Sequence, residues 1–159
     1  MALERLQTAA SVISCVSRIE RESAALYERL ATLHQELGSV FSAFAKENLK
    51  YESNIRRAYY NVVSDALETG FCFDLTVDTM LAAPALLQDA STQDASSTSD
   101  ILRVCIRLEE DIRGFYVNAA AQSKSLLADV PRAMERVAKA RSEREKELKR
   151  LLDAAKVSP

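Results

Sequence analysis

Residues Arg18 to Ala31 read RIERESAALYERLA, and Arg107 to Ala120 read RLEEDIRGFYVNAA. Superposed, the two stretches share Arg18 with Arg107, Glu20 with Glu109, Tyr27 with Tyr116 and Ala31 with Ala120, while Ile19 stands against Leu108. Each opens a half-chain in which one long helical pattern is followed by another. In both, apolar residues recur at helical spacing and the glutamate falls inside the apolar stripe. A carboxylate in that position needs a partner, either a metal or a cation, because an uncompensated buried charge is costly.

Outward from the first stretch, Leu6, Ala9, Ile13, Val16, Ile19, Ser23, Tyr27 and Leu30 carry one stripe, which predicts a helix over about 3–36. Gly38 and Ser39 supply a stop and a new start. The second helix is expected over about 40–69 on Phe41, Phe44, Ala45, Asn48, Tyr51, Ile55, Ala58, Tyr59, Val62 and Ala66, closed by Gly70. The third covers about 100–125, capped by Ser99 or Asp100, and Gly114 inside it predicts close approach of a neighbouring helix. Pro131 suits the first position of the fourth, over about 131–155. Between the halves, 71–99 breaks the rhythm. It reads as a crossover with a short helical pattern at 77–87, interrupted by Pro84, and a tail rich in Ser, Thr and Asp. The expectation is an all-α single domain over 1–159, a four-helix bundle of two antiparallel helical hairpins joined by that crossover.

Composition narrows the function classes. With 159 residues, three glycines, three prolines, no tryptophan and 28% charged residues, the chain has room for one core and few helix breakers. A formal net charge of -2 gives no general attraction to nucleic acid or to an anionic membrane. The uncharged run from Leu6 to Ser17 merges into a longer amphipathic pattern and is too short to span a bilayer, so neither export nor insertion is expected. Cys15, Cys72 and Cys105 are odd in number and form no CxxC pair, which excludes a disulfide framework and a cysteine-ligated zinc site. Reduced thiols packed as small hydrophobes fit a cytoplasmic protein. There is no phosphate-cradling glycine loop, no Gly-x-Ser-x-Gly elbow and no His-Glu-x-x-His. Nothing here points to nucleophilic catalysis, and no catalytic residue is assigned.

Each stripe has a polar interruption near its middle: Glu20 in the first, Asn48 and Tyr51 in the second, Glu109 in the third, Arg141 and Arg144 in the fourth. The two pairs have i, i+3 spacing, which sets both side chains on one face of a helix. A carboxylate-bridged di-iron site in a bundle needs one Glu from each of two helices and Glu-x-x-His from each of the others. The outline of that site is present, with other residues in it.

On these residues the chain resembles the rubrerythrin branch of the ferritin-like superfamily. The family's glutamate followed seven residues later by tyrosine matches Glu20 with Tyr27 and Glu109 with Tyr116. Its aliphatic-Ala-x-x-Glu-x-x-His pattern aligns with Phe44 to Tyr51 and with Val137 to Arg144. The resemblance implies a ferritin-like fold over roughly residues 3–155 and iron-dependent peroxidase or ferroxidase chemistry. It makes Glu20 and Glu109 metal ligands, with Tyr27 and Tyr116 behind them. Asn48 then stands at a ligand-glutamate position and Tyr51 at a ligand-histidine position, with Arg141 and Arg144 at the equivalent places on the fourth helix. The chain's only histidine, His34, lies elsewhere.

Arginine is permanently charged and holds a carboxylate through two hydrogen bonds, so Arg141, aided by Arg144, can supply to Glu20 and Glu109 what metal ions would. Its charge would also repel a metal from the same cavity. The expectation is a degenerate di-iron site: a metal-free, salt-bridged pseudo-site in a structural or interaction protein, with no cofactor. An oxidoreductase with iron or manganese on Glu20, Glu109, Glu47 and Glu143 is the second reading, and it requires shifted helices. The third is an oligomeric or helix-recognition scaffold using Tyr59 and Tyr60, or the charge-dense segment from Lys139 to Arg150. The resemblance implies a homodimer; no residue names a protein partner.

Overall fold

The computed structural model describes residues 3–6, 9–62, 75–78, 97–123 and 129–157. Four long helices dominate: α1 (Ala9–Leu33), α2 (Gly38–Val62), α3 (Thr98–Gln122) and α4 (Asp129–Val157). A single 3-10 turn, Gln35–Leu37, joins α1 to α2. Two four-residue strands, β1 (Leu3–Leu6) and β2 (Leu75–Asp78), pair antiparallel, with Leu3 against Asp78 and Leu6 against Leu75. The fold is all-α in class.

Burial follows the stripes. Val12, Val16, Ile19, Tyr27 and Leu30 of α1 pack with Phe41, Phe44 and Ile55 of α2. Leu102, Cys105, Leu108, Ile112 and Tyr116 of α3, with Met134, Val137 and Leu148 of α4, complete one continuous core. Along the first helix pair, contacts descend as residue numbers rise: Arg21 reaches Glu52, Ser23 meets Asn48, and Tyr27 stacks on Phe41. The second pair behaves alike, with Glu110 against Lys149, Arg113 against Glu145, and Ser123 near Met134. No described helix is long and apolar enough to cross a membrane.

Several boundaries differ from the expectation. The first helix starts at Ala9, not Leu3, because the backbone of Leu3–Leu6 pairs with Leu75–Asp78. Leu3, Leu6 and Ala9 fit a helical period, but three points over so short a span do not separate helix from strand. The strand also takes Val77 and Asp78 out of the short helix expected at 77–87. The rest of that helix, most of the crossover and the second helix beyond Val62 fall outside the described residues. Gly38 is no left-handed stop: at φ −57° it is right-handed and opens α2. Ser97, not Ser99 or Asp100, caps α3, accepting from the Asp100 amide, and its spacing to that acidic residue is that of a capping box. Gly114 marks no close approach, since a Cβ there would meet nothing within 4 Å.

Candidate functional site

Glu20 on α1 and Glu109 on α3 lie on stripes that helical periodicity turns inward. The α4 stripe brings Arg141 to the same level, and all three side chains are 0% exposed. The Arg141 guanidinium lies between the two carboxylates. Its Nη1 donates to Oε1 and Oε2 of Glu109, both at 2.9 Å, and its Nη2 donates to Oε1 and Oε2 of Glu20 at 2.7 and 2.6 Å. One planar cation thus spans two anions from two other helices.

Arg144, one turn further along α4, adds a second cation. Its Nη1 donates to Glu109 Oε1 at 3.1 Å, and its Nη2 donates to the Phe44 carbonyl at 2.7 Å and to Glu47 at 3.4 Å. Its guanidinium lies 4.5 Å from the Phe44 ring centre and 5.1 Å from that of Tyr51, a cation–π environment. Arg144 therefore ties α4 to α2, and the cluster engages all four helices.

The tyrosines close the cluster crosswise. Tyr27 donates to Glu109 Oε1 and Tyr116 donates to Glu20 Oε1, each at 2.6 Å. Each repeat's phenol serves the other repeat's carboxylate. Such short bonds to charged acceptors are the strong kind. Burial, followed by the charge of the carboxylate each one faces, pushes both phenols well above the usual tyrosine range. Burial by itself would raise the Glu109 carboxyl. Arg141, Arg144 and the Tyr27 hydroxyl outweigh it and hold that carboxyl below its ordinary value. Arg141 is pushed further up by Glu109 and Glu20 against the opposing effect of burial, so it stays charged. Burial also raises the Cys105 thiol, which is no nucleophile.

The two remaining positions of the site behave differently. Asn48 is fully buried but turns to α1, donating to Ser23 Oγ at 2.9 Å. Ser23 in turn donates to the Ile19 carbonyl. The Asn48 Oδ1 has no hydrogen-bond partner, nor do Nε of Arg141 and Arg144. Rotating the Asn48 amide would exchange the orphan atom without removing it, because the Ser23 proton is already committed. Tyr51 is half-buried and its hydroxyl donates to Glu47 at 3.0 Å, while its ring lies against Arg141 and Arg144. Burial raises this phenol to about 12.

No family model, no curated protein and no solved structure matches this chain.

A pair of iron or manganese ions does not suit this donor set. All four oxygens of Glu20 and Glu109 accept from Arg141, so a metal between them must expel a fixed positive charge. The alternative ligands do not converge. Glu47 faces Tyr51 and Arg144 at the edge, and Glu143 is exposed and paired with Lys146. His34 lies at the end of α1 with its Nδ1 3.9 Å from Glu36. Among the described residues no three His, Cys, Asp or Glu side chains gather as a metal site. The surfaces suggested for partner binding also change: Tyr59 is buried and only Tyr60 is exposed, while Arg141, Arg144, Glu145 and Leu148 turn inward from the charge-dense segment.

Sequence reading missed three participants. The Phe44 carbonyl leaves no trace in residue identity. Glu52 and Glu145 are buried acids held by Arg21 and Arg56, and by Arg113, respectively. Glu145 stands in the α4 stripe, and Glu52 falls in the α2 stripe, four residues after Asn48 and three before Ile55; that spacing was the available signal for both.

Proposed function

We propose that this chain is a ferritin-like bundle of two antiparallel helical hairpins in which Arg141 has taken the place of a di-metal centre. It acts as a structural or interaction module and not as a metal-dependent oxidoreductase. The four hydrogen bonds from one buried guanidinium to Glu20 and Glu109 carry this reading. The descending contacts within each helix pair and the crosswise tyrosines of the two repeats support the hairpins and their shared origin.

Two carboxylates facing each other in a core repel and lose their hydration. Arg141 and Arg144 balance them one for one, so the core holds no net charge at the cluster. A guanidinium carries no redox chemistry and binds no oxygen or peroxide. What it supplies is geometry, fixing the register of α1, α3 and α4 at one level. A homodimer in the cytoplasm is the accompanying expectation, the dimer being open to sedimentation analysis.

Protein purified without chelators from cells supplied with iron and manganese is the test. The expected result is far less than one equivalent of either metal and no peroxide consumption above buffer. Two ions per chain with turnover of peroxide or oxygen would refute the proposal. The double variant Arg141→Glu, Arg144→His, which restores one Glu-x-x-His, should bind Mn²⁺ more tightly than the parent chain.

A further inference from the structure

A groove of about 400 Å³ is lined by α2 and α4 and borders the buried cluster at Tyr51. Tyr51, Asn54 and Arg57 line it from α2, and Asp129, Arg132 and Arg136 from α4. On α4 these residues follow a spacing of three and four, so they share one face, and on α2 Tyr51, Asn54 and Arg57 do the same. The three arginines are exposed, yet none has a hydrogen bond or ion pair with a described residue. Arg21, Arg56, Arg103, Arg113 and Arg150 are by contrast each held by a carboxylate. Asp129 is the one acidic side chain in the lining, which leaves the groove with a clear excess of positive charge in a chain of net charge -2.

We infer that this groove binds a small phosphate-bearing anion of the diphosphate or phosphate-ester class. Guanidinium forks match phosphate oxygens two at a time, and three arginines lining one groove from two helices suit a ligand with several anionic oxygens. The volume falls in the range of small-molecule sites. The Asn54 amide adds a neutral donor and acceptor, and Tyr51, held by Arg141 and Arg144, adds a fixed part of the wall. The opening turn of α4 also lies here, and the positive end of the helix dipole adds a modest potential of the same sign. This site shares no charged residue with the pseudo-site and does not depend on the function proposed above.

Calorimetric titration of the whole chain with inorganic pyrophosphate, at low salt and near physiological salt, tests it. One ligand per chain is expected, with Arg132→Gln and Arg136→Gln each weakening binding roughly tenfold, as loss of one charge-assisted pair implies. Arg57→Gln should behave alike, whereas Arg29→Gln, on exposed α1 surface, should leave affinity unchanged. A rise in the melting temperature with pyrophosphate should accompany binding and vanish in the Arg132→Gln, Arg136→Gln double variant. No saturation at millimolar pyrophosphate would overturn the inference. So would affinity that survives in the double variant, or equal affinity for malonate, which would mark a nonspecific cationic surface.

Discussion

Tyr27 and Tyr116 make equivalent bonds, but the acceptors they reach are not equally supported. Among the described residues Glu109 receives Arg141, Arg144 and Tyr27, whereas Glu20 has only Arg141 and Tyr116. Removing a hydroxyl from a carboxylate that keeps two cations should cost less than removing it from one that keeps a single cation. Tyr116→Phe is therefore expected to lose about 2–3 kcal/mol of stability and Tyr27→Phe about 1.5–2 kcal/mol, within the span for hydrogen bonds to charged groups. Urea unfolding of the two variants decides the order. Equal losses would mean that Arg144 does not share in neutralising Glu109.

On α3, Gly114 sits inside a helix at right-handed geometry with open space where a Cβ would project. Glycine there carries only its entropic penalty, since no neighbour requires its small size. Gly114→Ala should raise stability by about 0.5–1 kcal/mol, read as a higher melting temperature. A fall would reveal a partner seated against that face of α3. On α4, the dense charge between Lys139 and Arg150 divides by helical phase. Arg141, Arg144, Glu145 and Leu148 turn inward, while Glu143, Lys146, Lys149 and Arg150 face solvent and pair there. The outward pairs are exposed and contribute little. The inward set decides how α4 docks.

For the whole molecule, Arg141 bridges three helices and its removal leaves two buried carboxylates facing each other. Arg141→Met is expected to cost about 3–5 kcal/mol, the usual price of breaking a buried pair from one side. Chemical unfolding measures it, and a loss under about 1 kcal/mol would place the pair outside the core energetics. The pH dependence follows from Glu109, whose folded pKa lies below its unfolded value near 4.3–4.5. Its contribution is complete above that unfolded value and is lost as pH falls through the lower folded value, because the unfolded chain then binds the extra proton. Unfolding free energies at pH 6 and pH 3 should show this acid loss, and Glu109→Gln should flatten it. At the alkaline end the raised phenols of Tyr27 and Tyr116 act in the other direction. Their contribution is whole below about pH 10 and declines as pH rises beyond it.

Periodicity alone determined the four helices, because a core-facing stripe must repeat every three to four residues whatever surrounds it. It also turned Glu20, Glu109 and Arg141 inward, since the stripe phases fix which residues face the core; their common level is seen in the assembled helices. Local pattern did not determine the strand pairing of Leu3–Leu6 with Leu75–Asp78, as a backbone ladder between distant segments leaves no period in either one. Nor did it determine the crosswise tyrosine bonds, the Phe44 carbonyl that receives Arg144, or the Arg57, Arg132 and Arg136 groove. These depend on the rotation of one helix against another. That rotation is set by how side chains from separate stripes interlock, and only the assembled core decides it.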